Sequence, residues 1–200
     1  NISVISQDGV QQLGGKDLDN ALLKIIGEKF RAKTGHEFDV IDCNFDKLAV
    51  ESNKNTLSTL PSVQIRLVSG KHGLLAIDIE RGEFENAISH LVNQAEMACE
   101  NVLRCGKDDR ALHVKKSDIR DIFMVGAISR VPAMQASVER LFGKKPKIKN
   151  PEHAVAMGAA IFAALKSSRN MLNTCQRRVI DDIHVANVAP HFYGIIYANW

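Results

Sequence analysis

The segment Val125–Pro132, with the sequence Val-Gly-Ala-Ile-Ser-Arg-Val-Pro, constrains the fold of this 200-residue chain more than any other part. The largely apolar stretch Ile119–Val125 predicts a strand, Gly126 predicts a tight turn, and Pro132 predicts the first turn of a helix. Such a turn can bind an anion, because backbone N–H groups approach it and the helix N-terminus carries partial positive charge. Arg130 adds a planar cation that can stack on a base or pair with an oxyanion. Many α/β proteins use the same turn for packing alone, so both interpretations stay open at this point.

The charge balance disfavours nucleic acid as a partner. Lys and Arg number 26 against 23 Asp and Glu, the net charge is +3, and aromatic residues make up 6% of the chain. This composition gives neither a basic stripe nor stacking platforms for bases. The longest apolar run, Ala154–Leu165, is too short to span a bilayer. From the first residues given, no secretory signal is expected. We therefore expect no nucleic-acid partner and no membrane partner.

The cysteines and histidines predict neither a disulfide framework nor a metal centre. The four cysteines form no Cys-x-x-Cys pair, which is typical of reduced thiols, so we expect an intracellular protein, cytoplasmic or organellar. The seven histidines lack the spacing of metal ligands, and isolated core or surface histidines are the better interpretation. We expect no metal site and no catalytic residue in this chain.

Helix and strand patterns alternate along the chain, which predicts an α/β fold. In chain order the predicted elements are a short strand (Asn1–Ser6), a helix opened by Asp17 and Asp19 that ends at Gly35, a helix (Phe45–Leu57), a hairpin (Val63–Val68 with Leu74–Ile79), a helix (Glu83–Leu103), the strand before Gly126, a helix (Pro132–Phe142), a short extended piece (Pro146–Lys149) and a helix (Pro151–Lys166). The remainder, from Ser167 to Trp200, begins polar and ends in an aromatic cluster, Phe192–Trp200. That cluster has too little chain around it to form a core, so we expect it to pack on a neighbour or to belong to a truncated domain.

Four motifs occur in an order and at spacings that resemble a known family. They are LGGKDLD (Leu13–Asp19), ESNKNTLS (Glu51–Ser58), MVGAISRVP (Met124–Pro132) and NPEHAVAMGAA (Asn150–Ala160). Together they resemble the second half of the ATPase domain of the seventy-kilodalton heat-shock proteins (DnaK-type chaperones), and the resemblance covers Val4–Lys166. It implies an actin-like ATPase fold of which this chain would be lobe II, a mixed sheet flanked by helices plus a smaller upper α/β subdomain.

The resemblance also implies a division of the chain. Residues 1–15 and 98–168 would form the base subdomain of lobe II, residues 16–97 the upper subdomain, and residues 169–200 an irregular, linker-like tail. Within that tail, VANVAPHFYGI (Val185–Ile195) loosely resembles the family's interdomain linker and the first strand of its peptide-binding domain. ATP or ADP would lie at the junction of the subdomains, with its adenosine held by this lobe and Mg²⁺ bound only through the missing half of the domain.

The nucleotide-binding residues implied by the resemblance lie on one helix and on turns. Glu51, Lys54 and Ser58 are spaced i, i+3 and i+7 on one helix face, where a carboxylate and an ammonium could hydrogen-bond ribose hydroxyls and a hydroxyl could reach the adenine edge. Arg130 would stack over the adenine from the opposite side. The alternative interpretation is a solvated helix face with a Glu–Lys pair. Two residue pairs would let the backbone approach the phosphates: Gly14 with Gly15, and Gly126 with Ala127. For Gly14 and Gly15, helix initiation or close packing is an equally good explanation. The remaining implied residues are Asn55, Ile128 and Glu152.

Several residues depart from the family's pattern. Ala127 stands where a second glycine is usual and would crowd the nucleotide, and Ile128 replaces a small polar residue that faces the purine. Asn55 stands where many members carry an arginine or an aliphatic residue. His153 replaces the usual acid of the last motif, with Glu152 in the neighbouring place. Each departure weakens the expectation of tight ATP binding.

We therefore predict an adenosine-nucleotide-binding lobe of an ATP-dependent protein-folding chaperone. No Asp-x-Gly-Thr-like phosphate loop occurs in the sequence, so the chain alone is not expected to hydrolyse ATP. The implied partners are ATP or ADP, unfolded peptide clients bound through a domain absent from this chain, co-chaperones and nucleotide-exchange factors. The alternative is a degenerate interaction module that has lost nucleotide and binds co-chaperones or exchange factors. A sugar-kinase lobe would share the fold but lacks the first and last motifs.

Overall fold

Helices and strands alternate in the computed structural model, which describes residues 2–11, 13–104, 114–181 and 183–186. The strands are β1 (Ile2–Ser3), β2 (Ser62–Ser69), β3 (Gly73–Glu80), β4 (Phe123–Met124), β5 (Lys147–Ile148) and β6 (Val185–Ala186). The helices are α1 (Gly15–Thr34), α2 (Lys47–Thr59), α3 (Arg81–Ala87), α4 (Ser89–Arg104), α5 (Pro132–Phe142), α6 (Ala154–Lys166) and α7 (Thr174–Asp181). Short 3₁₀ turns lie at Lys116–Asp118, Ala127–Arg130 and Arg169–Met171.

Helix α1 follows directly from its apolar spacing. Its buried residues recur every fourth position, so one stripe faces the core. The chain leaves the helix at Gly35, which has φ 75° and donates its N–H to the carbonyl of Arg31 at 2.8 Å. Glycine adopts this left-handed conformation without a steric penalty. The predicted helix and its end are confirmed, and the stripe consists of Leu18, Leu22, Ile26 and Phe30.

The predicted hairpin is also confirmed. Strands β2 and β3 pair antiparallel, from Ser62 opposite Glu80 to Ser69 opposite Gly73. Every second side chain points to the core, as the pleat requires. The inward residues Ile65, Leu67, Ile77 and Ile79 are at most 2% exposed.

One hydrophobic core joins the hairpin, α1, α2 and the helices that follow. Phe84 of α3, and Leu91 and Val92 of α4, pack into it. Val131 and Met134 at the start of α5 belong to the same cluster. A polar contact adds to this connection, because Glu96 of α4 accepts hydrogen bonds from Ser137 and Arg140 of α5. The core therefore reaches from the first motif of the sequence to the third.

The single helix predicted over Glu83–Leu103 is wrong at one residue. Ile88 separates α3 from α4, and the Leu91 N–H bonds the Ile88 carbonyl three residues back instead of four. Phe84, Ile88 and Leu91 all remain buried. The apolar period continues across the interruption, which is why the sequence pattern did not reveal it.

The predicted mixed sheet is not formed by the described residues. Their strands pair two by two: β1 with β6 in parallel, β2 with β3 antiparallel, and β4 with β5 in parallel. The strand predicted over Ile119–Val125 shortens to β4, and the extended piece Pro146–Lys149 shortens to β5. Between the turns at Lys116–Asp118 and Ala127–Arg130, only Phe123 and Met124 pair as strand, opposite Lys147 and Ile148 of β5.

The predicted irregular tail contains regular structure in its described part. Helix α7 and strand β6 lie within residues 169–186, and α7 contacts α6. The aromatic cluster Phe192–Trp200 and most of the linker-like stretch lie outside the described residues. None of the helices in the described ranges combines the length and the apolarity needed to cross a membrane.

Candidate functional site

The first motif forms the N-terminus of α1. Gly14 precedes the helix in extended backbone, and its N–H donates to Oδ2 of Asp17 at 2.8 Å. The Asp17 N–H donates in turn to the Gly14 carbonyl at 3.1 Å. Such reciprocal bonds satisfy groups that a helix N-terminus leaves without partners. Helix initiation therefore accounts for Gly14 in this structure.

Lys54 of the second motif reaches the first motif. Its Nζ lies 2.6 Å from Oδ1 of Asp19, and its side chain is only 6% exposed. A buried ammonium needs such a partner because it has lost its water. A Cβ placed on Gly15 would lie 3.8 Å from this Nζ. The ammonium therefore lies next to the first turn of α1.

The other α2 residues of the predicted site differ in exposure. Glu51 and Asn55 are exposed, whereas Ser58 is half-buried and its Oγ donates to the Lys54 carbonyl at 3.1 Å. The alternative interpretation, a solvated helix face with a Glu–Lys pair, is wrong for Lys54, because this side chain is buried and pairs with Asp19. Glu51 therefore keeps its carboxylate in solvent, and the Ser58 hydroxyl proton is used within the helix.

The turn of the third motif is tied to the fourth motif through backbone. Gly126 has φ 85° and ψ 159°, a region that only glycine adopts without strain. Its N–H donates to the Pro151 carbonyl at 2.7 Å, and its own carbonyl accepts from Ser129 Oγ at 2.6 Å. This N–H, predicted to face a phosphate, is bonded to protein here. The glycine is required by the backbone conformation.

Side chains of the same two motifs also meet. Arg130 Nε donates to Oε1 of Glu152 at 2.8 Å, and both side chains are about half exposed, 52% and 48%. Ala127 is exposed, whereas Ile128 is half-buried and packs against the core. Arg130 therefore keeps a solvent-accessible guanidinium with a defined anchor, and Ile128 contributes mainly to packing.

The predicted site residues thus fall into two groups. One joins Gly15 and Lys54 at the start of α1, and the other joins Gly126, Arg130 and Glu152 at the turns before α5 and before α6. Two partners escaped the sequence analysis, Asp19 and Pro151, although both lie inside the quoted motifs. An open groove of about 450 Å³ between α1 and α4 is lined by other residues, among them Asn20, Lys24, Glu28 and His90.

Two cysteines of the described chain are held as thiols. Burial raises the pKa of Cys43, and the nearby carboxylates of Asp42 and Asp39 raise it further. Burial also raises the pKa of Cys99, with Glu96 adding to the effect. A raised pKa keeps little thiolate at neutral pH. The described ranges hold no group of three His, Cys, Asp or Glu side chains placed to bind a metal.

Comparison with known proteins decides the family. A family model described as Hsp70 protein matches residues 1–198. The chain belongs to the Hsp70 family. The mitochondrial heat shock 70 kDa protein of Solanum tuberosum is 34% identical over 173 residues, which cover 79% of this chain and 24% of that protein. The Chaperone protein dnaK of Thalassiosira pseudonana is 33% identical over 200 residues, which cover 96% of this chain and 31% of that protein.

Membership of the Hsp70 family confirms the resemblance drawn from the four motifs. The family implies an actin-like ATPase fold, and the mixed helices and strands of the described chain agree with it. This chain spans between 24% and 31% of the length of the two relatives.

Proposed function

We propose that this chain is the adenosine-binding lobe, lobe II, of an Hsp70-type chaperone ATPase domain. One observation supports this most: the four motifs meet in two pairs. Lys54 of the second motif bonds Asp19 of the first, and Arg130 of the third bonds Glu152 of the fourth. Motifs separated in sequence that contact one another through charged side chains fit a common site better than four independent structural roles.

In this proposal the two groups hold different parts of adenosine. Glu51 accepts and Lys54 donates hydrogen bonds to the ribose hydroxyls, while Ser58 and Asn55 border the base. The Arg130 guanidinium stacks on the adenine, a contact worth about 0.5–1 kcal/mol at an exposed site. Glu152 holds that guanidinium in place.

In the same proposal, this chain makes few contacts with the phosphates of the nucleotide. The Gly126 N–H is bonded to the Pro151 carbonyl, and the sequence lacks an Asp-x-Gly-Thr-like loop. Phosphoryl transfer needs bound Mg²⁺, a cation on the transferred group and a positioned water. We propose that residues 1–15 and 98–168 form the base subdomain, that residues 16–97 form the upper one, and that the chain alone does not hydrolyse ATP.

The whole protein's partners follow as part of the proposal. An Hsp70-type chaperone would bind unfolded peptide through a separate domain and would be regulated by co-chaperones and nucleotide-exchange factors inside the cell. The linker-like tail after residue 169 would connect the two functions.

The alternative is an interaction module without nucleotide that binds co-chaperones or exchange factors. The polar groups that would bind a nucleotide already have protein partners: Lys54 bonds Asp19 and Gly126 bonds Pro151. Ile128 packs on the core where a polar side chain would face the purine. These three contacts are the observations on which the alternative rests.

Calorimetric titration of the chain with ADP separates the two functions. We expect measurable binding that weakens about tenfold in Glu51→Ala, because one charged hydrogen bond to ribose is lost. Glu139→Ala, which removes an exposed helical carboxylate on α5, is the matched control and leaves the affinity unchanged. No heat at millimolar ADP would overturn nucleotide binding and support the interaction module. ATP turnover by the chain above buffer, lost in Arg130→Ala, would overturn the non-hydrolysing assignment.

A further inference from the structure

We propose that the outer edge of β2 binds an extended, acidic peptide segment of another protein by strand addition. The inference concerns the hairpin alone and does not depend on nucleotide binding. It is carried by the register of the hairpin, by a groove beside this edge and by the charge of Arg66.

The register of the hairpin determines which backbone groups of β2 point outward. The Arg81 N–H donates to the Pro61 carbonyl at 2.8 Å, and this pair continues the register of the two strands. Bonded and non-bonded pairs alternate along an antiparallel ladder. Counted from the bonded pair, Gln64 and Arg66 stand at non-bonded positions. Their N–H and C=O groups therefore point away from β3.

The two edges of the hairpin differ in what covers them. On the β3 edge, the carbonyls of Asp78 and Ala76 accept hydrogen bonds from the ammonium groups of Lys29 and Lys33 on α1. On the other edge, β2 has no second strand beside it in the described ranges of the chain. A strand edge that is not covered can accept an additional strand through its backbone groups. The β2 edge is therefore the one available to another chain.

A groove of about 370 Å³ lies beside this edge. Its lining includes Gln64, Arg66 and Val68 of β2, and on the other side Phe45 and Ala49 at the start of α2. An added strand would lie about 4.8 Å from β2, with its side chains alternating between two faces. One row of side chains would lie next to Arg66 and Val68, which are exposed, and the other row toward Phe45 and Ala49. The groove therefore suits an extended segment with small apolar side chains on one face.

Arg66 determines the charge of the segment that fits. Its side chain is exposed and forms no ion pair within the described part of the chain. Strand β2 has no acidic residue, and the nearby Asp78 carboxylate accepts a hydrogen bond from Gln64 Nε2 at 2.9 Å. Opposite charges that face each other across two strands are favourable, whereas like charges are not. A second copy of β2 would bring another arginine and no carboxylate, so the edge favours a partner segment that contains Asp or Glu.

The test is a titration of the isotope-labelled full chain with two capped peptides, followed by the backbone amide resonances. The Glu peptide has the sequence Thr-Val-Glu-Val-Thr-Val-Thr, and the Lys peptide has Lys in place of Glu. We expect the Glu peptide to shift the amides of Gln64 and Arg66 and to bind about three- to tenfold more tightly than the Lys peptide. Arg66→Glu should reverse this preference. Arg120→Glu, which changes an exposed arginine outside the groove, should leave it unchanged.

Backbone pairing is tested by removing N–H groups on either side. Gln64→Pro removes an outward N–H without removing a ladder bond, and proline is tolerated at such edge positions. It should weaken binding of the Glu peptide at least about fivefold, whereas Gln64→Ala keeps the N–H and should stay within about twofold of the wild type. Thermal unfolding shows whether each variant is folded.

Two modified Glu peptides test the same point without changing the protein. One carries N-methyl groups on its valines, and the other carries them on its Glu and Thr residues. Only alternate residues of an added strand direct their N–H toward β2, so one of the two peptides should lose binding and the other should keep it. If both modified peptides bind as well as the Glu peptide, strand addition is wrong.

The other results also have a defined meaning. If neither peptide shifts Gln64 or Arg66 at millimolar concentration, or if only amides elsewhere shift, the proposed site is wrong. If the Glu and Lys peptides bind equally, the preference for an acidic segment is wrong. If sedimentation shows a dimer of the chain that Gln64→Pro abolishes, a second copy occupies the edge and the proposal is overturned. No nucleotide is present in these experiments, so their outcome is separate from that of the proposed function.

Discussion

Arg130 Nε bonds Oε1 of Glu152 at 2.8 Å, and this ion pair joins the turn before α5 to the turn before α6. A backbone bond from Gly126 to Pro151 joins the same two turns at 2.7 Å. The turns are thus held twice, once by side chains that water reaches and once by backbone. The guanidinium is held at one edge and remains half exposed, an arrangement that suits stacking.

The ion pair should matter more for ligand binding than for stability. Exposed pairs contribute at most about 1 kcal/mol, so Glu152→Gln should lower the free energy of unfolding by no more than this amount. The same variant should weaken adenosine binding two- to fivefold, roughly the loss of an ordered stacking cation. Urea unfolding and calorimetry measure the two effects. A stability loss above about 2 kcal/mol with unchanged affinity would show that the pair is structural only.

Helix α2 depends on its N-cap. The Asp46 carboxylate accepts the Ala49 N–H at 2.8 Å. Removal of such a cap costs about 1 kcal/mol, so Asp46→Ala should lower the free energy of unfolding by this amount in a denaturant titration. Asp46→Asn keeps the oxygen that accepts the bond and should remain within a few tenths of a kcal/mol of the wild type. Equal losses in both variants would contradict the capping role.

Glu83 gives the described core a dependence on pH. The hydrogen bond from Lys29 at 2.7 Å, and then the Glu80 backbone N–H, lower the pKa of Glu83 from its ordinary value of 4.5. A lowered pKa means that the stabilisation is complete above the unfolded value and is lost as the pH falls through the folded value. Glu83→Gln should cost up to about 1 kcal/mol at pH 7, because the pair is partly exposed and solvent screens it.

The same difference between Glu83→Gln and the wild type should shrink toward zero on acidification below pH 4.5. Lys29→Met should reproduce both the loss and its pH dependence, and the double variant should add little to either single change. Denaturant titrations at a series of pH values provide the measurement. A loss of unfolding free energy that stays constant down to the lowest pH would show that it comes from packing and not from the ion pair.

Gly126 should not tolerate a side chain. At φ 85° and ψ 159° a Cβ brings backbone strain of about 1–3 kcal/mol, even though an added Cβ meets no atom within 4 Å. Gly126→Ala should lower the free energy of unfolding by that amount. Gly158→Ala, inside α6 and equally free of steric contact, should be stabilising by about 1 kcal/mol. A neutral Gly126→Ala variant would contradict the conformational requirement.

Local patterns predicted the elements that bury one regular face. The apolar face of α1 from Leu22 to Phe30 and the alternating residues of the hairpin were visible in sequence, because periods of about 3.6 and 2 residues follow from backbone geometry. The interruption at Ile88 was not visible, because its apolar side chain fits the helical period on both sides. Helix α7 was not predicted within the tail, because it is only eight residues long and mostly polar.

The site was only partly visible for a different reason. Motifs identified Lys54 and Arg130, and their neighbours along the chain, but ion pairs depend on which elements pack together. Asp19 and Lys54 are 35 residues apart, and no local pattern connects them. The bond from Gly126 to Pro151 uses backbone groups, which every sequence possesses, so its effect on the predicted phosphate contact could be found only from the structure.

The most direct test of the account is a titration of the isotope-labelled chain with adenosine, followed by the backbone amide resonances. We predict that amides of Glu51–Ser58 and of Ala127–Arg130 shift together and give one dissociation constant, because both groups contact the same nucleoside. Shifts confined to one of the two groups, or no shifts at millimolar adenosine, would contradict the claim that this chain binds adenosine between them.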